Sequence, residues 1–389
     1  MKNHVQVVII GGGIIGCSIA YYLSKKGMKP LVIDSRGIGE GTSSGGDGFV
    51  LMQTKKPGLQ LELANRSADM YEKLENELGY ATQYHRPGGL IVIETPEERK
   101  VMEQVVQQQI AMGMDIELIS GKKARELEPL LSKNVNSATY CPKDGDVSPI
   151  CTTRAFAKRA AELGAEFWLH TPVLDIKTNE GSIESVVTSR GEVITPIIIN
   201  AAGVWSPYIG RMTCLNIPIK PRRGHLLISE AIAPVLKMEI LCARYIAIKH
   251  NPKLAEQTTD STLALGVSLT LEQSENGNLI IGSNREFAGY DLNASSKVVQ
   301  AIAQYSTRFM PMLKDINIIR SFVGMRPYCE DGVPIVGSVN TLDGMFIASG
   351  HEGDGIALAP ITGDLISDMV LGRKTEFDVS SFSFNRFLN

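Results

Sequence analysis

The sequence lacks an excess of charge of either sign and lacks a long apolar run. Its 39 lysine and arginine residues against 42 aspartate and glutamate residues leave a net charge of −3 over 389 residues. This balance differs from the basic surfaces that bind nucleic acid, so we expect no nucleic-acid partner. The two most apolar stretches, residues 5–20 and 193–204, are interrupted by glycine, asparagine or proline. Both are shorter than the roughly 20 apolar residues of a membrane-spanning helix, so we expect no membrane span.

Cysteine is sparse and scattered, with six residues in the chain. No two of them form a Cys-x-x-Cys motif, and even Cys141 and Cys151 are ten positions apart. This spacing predicts neither a zinc site nor an iron–sulfur site. Scattered cysteines in a chain of this length are typical of the reduced, mostly buried thiols of a cytosolic protein. We therefore predict a cytoplasmic protein without a bound metal.

The chain begins with one β-strand–helix–strand unit. A β-branched apolar run over residues 5–10 predicts a buried parallel strand, and small and apolar residues at helical spacing follow over 14–23. Lys25, Lys26 and Gly27 are helix stop signals, and residues 30–33 predict the second strand. Further helices are predicted over 59–80, 97–112, 121–127, 152–163, 295–309 and 356–371, and further strands over 88–93, 166–170, 173–178, 183–188, 193–200, 316–322 and 345–348. This order indicates an α/β protein whose doubly wound domain is assembled from discontinuous segments, with a second domain inserted between them.

A glycine motif occupies the first strand-to-helix turn. Gly11, Gly13 and Gly16 match the pattern G-x-G-x-x-G between a predicted strand and a predicted helix. In that pattern the glycines permit a tight turn, a close approach of backbone to a pyrophosphate, and close packing of the helix on the sheet. Asp34 ends the second predicted strand 18 residues after Gly16, where an acidic side chain binds ribose hydroxyls. We therefore predict a dinucleotide site here rather than a merely structural turn.

This unit alone does not separate NAD from FAD. The sequence has no second glycine fingerprint for a separate nicotinamide nucleotide. The loop over residues 41–48 offers hydroxyls and bare backbone close behind Asp34. Because the loop has so many small hydrogen-bond donors, we interpret it as the lining of a buried cofactor and not as a flexible surface turn.

Taken in their order along the chain, several segments resemble the D-amino-acid-oxidase-like family of FAD-dependent amine oxidoreductases. The matching segments are 8–16, 42–44, 146–149, 200–206, 324–327, 331–334 and 350–356. Within the family the chain looks most like glycine and sarcosine oxidases. Segments 47–51 and 283–291 make it look closer still to the β-subunits of multi-subunit proline, hydroxyproline and opine dehydrogenases.

The resemblance implies a fold of two parts. One is a doubly wound, Rossmann-like FAD-binding domain assembled from residues 1–50, 146–220 and 323–389. The other is an α+β substrate-binding domain with a mixed or antiparallel sheet, formed by residues 51–145 and 221–322. These boundaries are expectations from the family pattern.

The resemblance also implies a set of FAD-binding residues. The first of these residues form the turn at the pyrophosphate and the contacts to the adenosine. Others form a loop that binds phosphate and ribityl oxygens, and Val173 contacts the adenine through its backbone. The rest lie along the dinucleotide or, near the C-terminus, around the flavin ring. The implied residues are Gly11, Gly13, Ile14, Ile15, Gly16, Asp34, Ser35, Arg36, Thr42, Ser43, Ser44, Gly48, Val173, Ala201, Ala202, Gly203, Trp205, Gly324, Gly350, His351, Glu352, Gly353, Asp354, Gly355 and Ile356. His351 by itself does not indicate covalent attachment and Cys329 is not assigned that role, so we expect non-covalent FAD.

Oxidation of an amino acid requires that the α-carbon hydride be directed at the flavin and that the carboxylate be anchored. The resemblance assigns Arg326, in a Gly-x-Arg-Pro motif, to the carboxylate, which a guanidinium binds with two parallel hydrogen bonds. The alternative for Arg326 is a surface salt bridge. Met52 and Tyr245 are weaker candidates for the pocket wall, with core packing as the alternative. His351 is a candidate for orienting flavin or substrate, with the filling of a backbone turn as the alternative.

For four other polar residues the sequence predicts a position in the fold and no catalytic role. His225 is predicted to be a strand residue of the second domain, and Arg285 a residue of a surface turn. Glu352 and Asp354, beside the flavin, are expected to face solvent or a partner subunit.

The resulting functional prediction is an FAD enzyme that oxidises a secondary or cyclic amino acid, such as sarcosine, glycine, proline or hydroxyproline, to an imine. Two electron acceptors are left open: oxygen, or a partner assembly with a second flavoprotein subunit and an iron–sulfur protein. A homo-oligomer is compatible with the sequence. The alternatives are a non-catalytic or electron-relaying flavoprotein subunit of an amine or opine dehydrogenase, and an NAD-dependent hydroxy-acid dehydrogenase.

Overall fold

A six-stranded, mostly parallel sheet forms the centre of the protein. The computed structural model describes residues 3–251 and 260–388. In order across this sheet the strands are Ile335–Ser338, Met345–Ser349, Ile198–Asn200, Val8–Ile10, Leu31–Ile33 and Glu166–Trp168. All neighbouring strands are parallel except the first pair, which is antiparallel. The three central strands, Val8–Ile10, Leu31–Ile33 and Ile198–Asn200, are fully buried and apolar except for Asn200, because helices cover the sheet.

Two helices pack against the helix Ile14–Lys25 that connects the first two parallel strands: Pro149–Glu162 and the C-terminal α-helix Gly355–Val370. The C-terminal helix approaches closely, because Ser18 Oγ donates a hydrogen bond of 2.8 Å to the Ala359 carbonyl within it. Lys26, just past the end of the first helix, forms ion pairs of 2.8 and 2.7 Å with Asp364 and Asp368. The two ends of the chain are thereby joined in one layer.

An eight-stranded mixed sheet forms the second part of the protein. Its strands, in order, are Ile318–Cys329, Ile219–Ala231, Asn278–Gly282, Thr270–Gln273, Glu239–Cys242, Gly89–Ile93, Ser137–Cys141 and Glu117–Ser120. Its two longest strands, Ile219–Ala231 and Ile318–Cys329, pair antiparallel from the pair Ile219 and Cys329 to the pair Ser229 and Ile318. Both strands belong to this sheet, and they run across the predicted boundaries at 220/221 and 322/323.

The remaining elements surround these sheets. A four-stranded sheet contains Asn3–His4, Gly191–Ile194, Ser182–Thr188 and Val173–Asn179, and a two-stranded one contains Phe49–Val50 and Gly145–Asp146. The other helices are Leu59–Leu78, Pro96–Ala111, Gly121–Leu127, Ser206–Arg211, Arg244–His250, Ser261–Ala264 and Ser296–Phe309. Short 3₁₀ segments are Thr42–Ser44, Gly203–Trp205, Pro311–Asp315, Glu352–Asp354, Ser380–Phe382 and Phe384–Phe387.

The predicted α/β fold with two sheets is confirmed. One predicted strand is wrong: residues 193–200 form the ends of two strands, Gly191–Ile194 and Ile198–Asn200, which belong to different sheets. Pro196 lies between them, and a proline lacks the backbone N–H that a continuous strand would need. Within the described residues, no helix combines the length and the apolar character needed to cross a membrane.

Candidate active site

A cavity of about 990 Å³ opens at the carboxyl ends of the central parallel strands. This edge is where open α/β sheets bind ligands. Segments from both ends of the chain and from its middle line the cavity: residues 11, 13–15, 34, 41–43, 45–47, 201–203, 205, 324–327, 348–349, 351–353 and 355–356 contribute. Most of the sequence-predicted cofactor residues therefore converge on one space.

The glycine turn, over residues 11–16, has no room for side chains at two of its glycines. Gly11 has a φ of +117°, and a Cβ there would lie 2.5 Å from the Ala201 carbonyl oxygen. A Cβ on Gly16 would overlap the Gly11 carbonyl oxygen, so Gly16 supports the turn without lining the cavity. Gly13 is the N-cap of the first helix and has no side chain to cap it, which leaves the helix N-terminus directed at the cavity. Such an end attracts phosphate groups.

Two side chains hold this turn in place. Asp34 accepts hydrogen bonds from the Gly12 N–H at 2.6 Å and from the Arg36 N–H at 2.7 Å. Ser43 Oγ accepts a hydrogen bond of 2.9 Å from the Ile14 N–H. Asp34 and Ser43 line the cavity, whereas Arg36 stacks on Trp205, with 4.9 Å from its guanidinium carbon to the ring centroid.

A few predicted cofactor residues lie outside the cavity lining. Ser44 Oγ bonds back to the Gly41 carbonyl at 3.4 Å, and the Gly48 N–H donates to the buried Glu272. The others outside the lining are Gly16, Ser35, Arg36, Val173, Gly350 and Asp354.

A close approach of two backbone segments joins the loop over residues 41–48, here called the serine loop, to the long strand Ile318–Cys329. A Cβ on Gly324 would overlap the Gly45 carbonyl oxygen. Beside it, Thr42 Oγ1 donates a hydrogen bond of 2.8 Å to the Met325 carbonyl. This junction places Arg326 next to the cavity.

The C-terminal α-helix begins at the other end of the cavity. Its N-cap, Asp354, makes no capping hydrogen bond with its side chain and instead accepts a 2.6 Å ion pair from the buried Lys55. His351 is buried at the cavity wall, with Nε2 3.1 Å from Thr362 Oγ1. Burial lowers the pKa of His351 to about 4, so its ring is neutral near pH 7.

The lining fits an FAD molecule. The elongated cavity runs from a helix N-terminus with a glycine turn, suited to a pyrophosphate, to the start of the C-terminal α-helix. A side chain on Gly13 would be crowded, since its Cβ would lie 3.3 Å from Ser43 Oγ, and the bare glycine avoids this contact. The residues that would hold FAD are the lining residues of the glycine turn, the serine loop, the segment 201–205 and the segment 351–356.

A second cavity, of about 910 Å³, adjoins the first. The two share Asp47, Arg326, Glu352 and Gly353. The second cavity is also lined by Phe49, Leu51, Thr54, Lys55, Leu241, Cys242, Tyr245, Ile246, Ser268, Leu269, Thr270, Arg285 and Asp354. A bound substrate there would face the cofactor cavity through the shared residues.

Arg326 occupies the boundary between the cavities. It lies opposite Arg222 in the paired long strands, and a Cβ on Gly224 would overlap its Nη1 atom. Its guanidinium donates to the Asn284 carbonyl at 3.1 Å and to Ser283 Oγ at 3.4 Å. These bonds hold the side chain and leave other donors of its five N–H groups for a ligand.

Glu352 lies among three arginines. Its Oε1 accepts a hydrogen bond of 3.1 Å from Arg222 Nε and lies 3.9 Å from Arg285 Nε and 4.0 Å from Arg326 Nε. Burial acts to raise its pKa, but the positive charges of Arg285, Arg222 and Arg326 prevail and lower the pKa to about 2. Glu352 is therefore ionised, and its carboxylate faces these three arginines.

The other two candidate pocket residues lie in different surroundings. Tyr245 lines the second cavity, and its hydroxyl accepts a hydrogen bond of 3.1 Å from Arg222 Nη2. Met52 lies outside both cavity linings and packs in the main hydrophobic core with 1% of its surface exposed.

Sequence reasoning missed part of the site. Arg285, expected in a surface turn, lines the second cavity, and so do Lys55 and Asp47. Arg222 completes the arginine cluster from the neighbouring strand. The one local signal was the pair of adjacent charges at Arg222 and Arg223, before Gly224, inside the strand Ile219–Ala231. His225 is a buried strand residue, as predicted.

A group of buried carboxyls lies behind the serine loop. Glu272 receives the Gly48 N–H at 3.2 and 3.0 Å on its two oxygens, and strand pairing of Ile240 with Leu271 brings Glu239 beside Glu272. Burial raises the pKa of Glu239 and of Glu272. These groups are therefore protonated more readily than exposed glutamates.

Comparison with known proteins places this geometry in context. A family model described as "FAD dependent oxidoreductase" matches residues 6–369. Glycine oxidase from Geobacillus kaustophilus is 27% identical over 397 residues, covering 100% of this chain and 98% of the relative. Hydrogen cyanide synthase subunit HcnC from Pseudomonas aeruginosa is also 27% identical, covering 100% of this chain and 97% of the relative. Among solved structures, L-proline dehydrogenase from P. horikoshii superimposes with a TM-score of 0.89 at 27% identity, covering 100% and 99% of the two chains.

Proposed function

Because the chain belongs to the family of FAD-dependent oxidoreductases, we propose that it oxidises a secondary or cyclic amino acid to an imine, with FAD accepting the hydride of the α-carbon. The family resemblance drawn from the motifs is confirmed, and FAD-dependent amino-acid oxidation is the activity to which the relatives point. The finer choice of a secondary or cyclic amino acid rests on the similarity to a proline dehydrogenase, since proline is a cyclic secondary amine. Division of the chain into an FAD-binding and a substrate-binding domain at the predicted boundaries remains part of this proposal.

Arg326 carries the proposal. It is the charged donor that faces both cavities, so a carboxylate bound to it lies in the second cavity beside the cofactor. A guanidinium binds a carboxylate in a fixed plane, and this fixes the direction of the adjoining α-carbon. The protein thus contributes orientation, and Tyr245 and the apolar wall contribute enclosure.

His351 acts in this proposal as a neutral wall of the cofactor cavity. Its low pKa, a result of burial, leaves it uncharged across the neutral range. Its contact with Thr362 fixes the ring plane. We assign no proton transfer to it.

FAD is proposed to be held without a covalent bond. The described lining of the first cavity contains no cysteine, and Cys329 is buried next to it under Gly350. The six free cysteines also support the expectation of a reducing, cytoplasmic environment.

Anaerobic bleaching of the bound flavin tests the proposal. The purified holoenzyme is mixed without oxygen with glycine, sarcosine, proline and hydroxyproline, and its visible absorbance is followed. We expect at least one of the secondary or cyclic amino acids to bleach the flavin. Flavin that stays oxidised with every amino acid tried would overturn the proposal in favour of a subunit without its own chemistry.

A partner assembly is the second candidate arrangement. It is supported by the similarity to a protein named as a synthase subunit. In that case electrons leave through a partner, such as a second flavoprotein or an iron–sulfur protein, and not through oxygen. Reoxidation of the bleached flavin by air at a rate matching turnover would exclude it, whereas slow reoxidation by air and fast reoxidation by an artificial acceptor dye would support it.

A further inference from the structure

The cations that line the second cavity are only partly paired with its carboxylates. Lys55 is paired with Asp354 at 2.6 Å, whereas Glu352 is paired with Arg222, which lies outside the lining. Two guanidiniums of the cavity, Arg285 and Arg326, remain without a direct hydrogen bond to a carboxylate of the described residues.

Asp47 lies near both guanidiniums, but within the described residues no hydrogen bond joins it to either of them. Burial raises the pKa of Asp47, and the charges of Arg326 and Arg285 act to lower it. Glu352 is shared: its Oε1 lies 3.9 Å from Arg285 and 4.0 Å from Arg326, both too long for hydrogen bonds. The proposed substrate carboxylate on Arg326 supplies one anion, which leaves Arg285.

Arg285 is fixed in place yet incompletely bonded. Its Nη1 donates to Ser268 Oγ at 3.2 Å, and its guanidinium carbon lies 3.7 Å from the centroid of the Tyr245 ring. Its Nε is buried and has no hydrogen-bond partner within residues 3–251 and 260–388. A buried charged donor left without an acceptor is costly, and a ligand that supplies the acceptor recovers that energy.

The two guanidiniums differ in the cavities that they line. Arg326 lines both cavities, whereas Arg285 lines only the second. Part of the wall of the second cavity is apolar, formed by Phe49, Leu51, Leu241, Ile246 and Leu269. The cavity therefore offers an anion site beside the cofactor, a stretch suited to methylene groups, and a second anion site.

From this arrangement we propose that Arg285 binds a second carboxylate of the substrate, so that the oxidised compound is a secondary amine carrying two carboxylates. One carboxylate, next to the oxidised carbon, binds Arg326, and the other, on the nitrogen substituent, binds Arg285. This proposal rests on the proposed function, because it assumes that the second cavity takes the substrate.

The test uses ether analogues, in which oxygen replaces the amine so that no oxidation occurs. Methoxyacetate carries one carboxylate, oxydiacetate carries two, and 2-hydroxyethoxyacetate has the longer chain with a neutral end. Each is titrated into the holoenzyme, and its Kd is obtained from the change in the flavin absorbance spectrum. We expect oxydiacetate to bind at least about tenfold more tightly than either monocarboxylate, as a charge-assisted hydrogen bond predicts.

Variants locate the second carboxylate. Arg285→Met should remove the preference for oxydiacetate and leave the Kd for methoxyacetate within about twofold. Arg285→Lys keeps the charge and should retain part of the preference, which covers the case in which the methionine variant does not fold. The matched control is Arg211→Met, an exposed arginine stacked 4.2 Å from the Tyr208 ring outside both cavities, which should bind all three analogues as the wild type does.

Two results would overturn the proposal. One is an equal affinity for oxydiacetate and methoxyacetate. The other is an equal loss of affinity for both in Arg285→Met, since that would make Arg285 part of a single carboxylate clamp with Arg326.

The failure of this inference is separable from failure of the proposed function. A preference for oxydiacetate in a protein whose flavin no amino acid bleaches would contradict only the proposed oxidation. Bleaching by sarcosine as fast as by iminodiacetate, without any preference among the ethers, would contradict only the second carboxylate site.

Discussion

At the scale of single residues, one carboxylate of the site interacts with several arginines at once. Glu352 has a φ of +53°, a backbone conformation that residues other than glycine rarely adopt. The position faces both cavities, and its carboxylate meets three arginines. An unfavourable backbone conformation kept at such a point is typical of functional sites.

Replacing the carboxylate anchor should weaken catalysis without removing the cofactor. For Arg326→Lys we expect kcat/KM for the best amino acid to fall about 10- to 100-fold, because a lysine offers one point of charge in place of a planar pair of donors. Flavin content should remain that of the wild type. Steady-state kinetics and the ratio of visible to ultraviolet absorbance measure both.

The control for this variant is Arg320→Lys, on the same strand but exposed to solvent. It should leave kcat/KM unchanged. An unaltered kcat/KM in Arg326→Lys itself would remove Arg326 from the proposed substrate site.

At the scale of elements, the junction between the serine loop and the strand Ile318–Cys329 is a contact of bare backbone. For Gly324→Ala we expect a loss of unfolding free energy of about 1–3 kcal/mol and a lower flavin content, because the added methyl group would overlap the Gly45 carbonyl oxygen. Thermal unfolding followed by circular dichroism, together with the flavin-to-protein ratio, measures the effect.

The companion variant for this prediction is Gly46→Ala in the same loop. Its added methyl group would have no protein atom within 4 Å. Because Gly46 lines the cofactor cavity, the unfolding temperatures are compared in flavin-free protein, where that of Gly46→Ala should match that of the wild type. A Gly324→Ala protein as stable as Gly46→Ala would show that the junction relaxes at no cost.

Elements were also the level at which the sequence was most informative. The first β-strand–helix–strand unit was predictable because its apolar runs, its glycines and its Lys25–Gly27 stop signal all act locally. Pro196 marked the one break that the strand prediction over 193–200 overlooked.

The rest of the candidate site was beyond local reasoning. Arg222 faces Arg326 only through the register of two strands about a hundred residues apart in the chain, and Arg285 joins them from a third segment. No local pattern distinguishes a core methionine from one that lines a pocket, which is why Met52 was a candidate. Which charged side chains come together is determined by the pairing of strands that are far apart in the sequence, and not by the local secondary-structure propensity of each segment.

At the scale of the whole molecule, buried carboxyls make stability depend on pH. Burial raises the folded-state pKa of Glu239 and Glu272 above the ordinary value of 4.5. The folded state therefore keeps protons that the unfolded chain releases, so this contribution is fully present below about pH 4.5 and is lost as the pH rises through the higher folded-state pKa.

The amide variants Glu239→Gln and Glu272→Gln should accordingly raise the unfolding temperature at pH 8 and change it little at pH 5. The reason is that a neutral amide avoids the cost of a buried negative charge at high pH. Scanning calorimetry of the holoenzyme at the two pH values measures the difference. Exposed Glu184→Gln serves as the reference and should show no such pH dependence; an equal response in all three proteins would contradict the interpretation.

The cofactor cavity combines backbone from residues 11–15 with backbone from residues 349–356. During synthesis on the ribosome, the amino-terminal half of this wall is complete more than three hundred residues before its counterpart emerges. The nascent polypeptide thus has no finished receptacle for its prosthetic group while translation is under way. Loading must be a late, near-terminal event, and a ribosome that stalls before residue 349 leaves a chain that is permanently colourless.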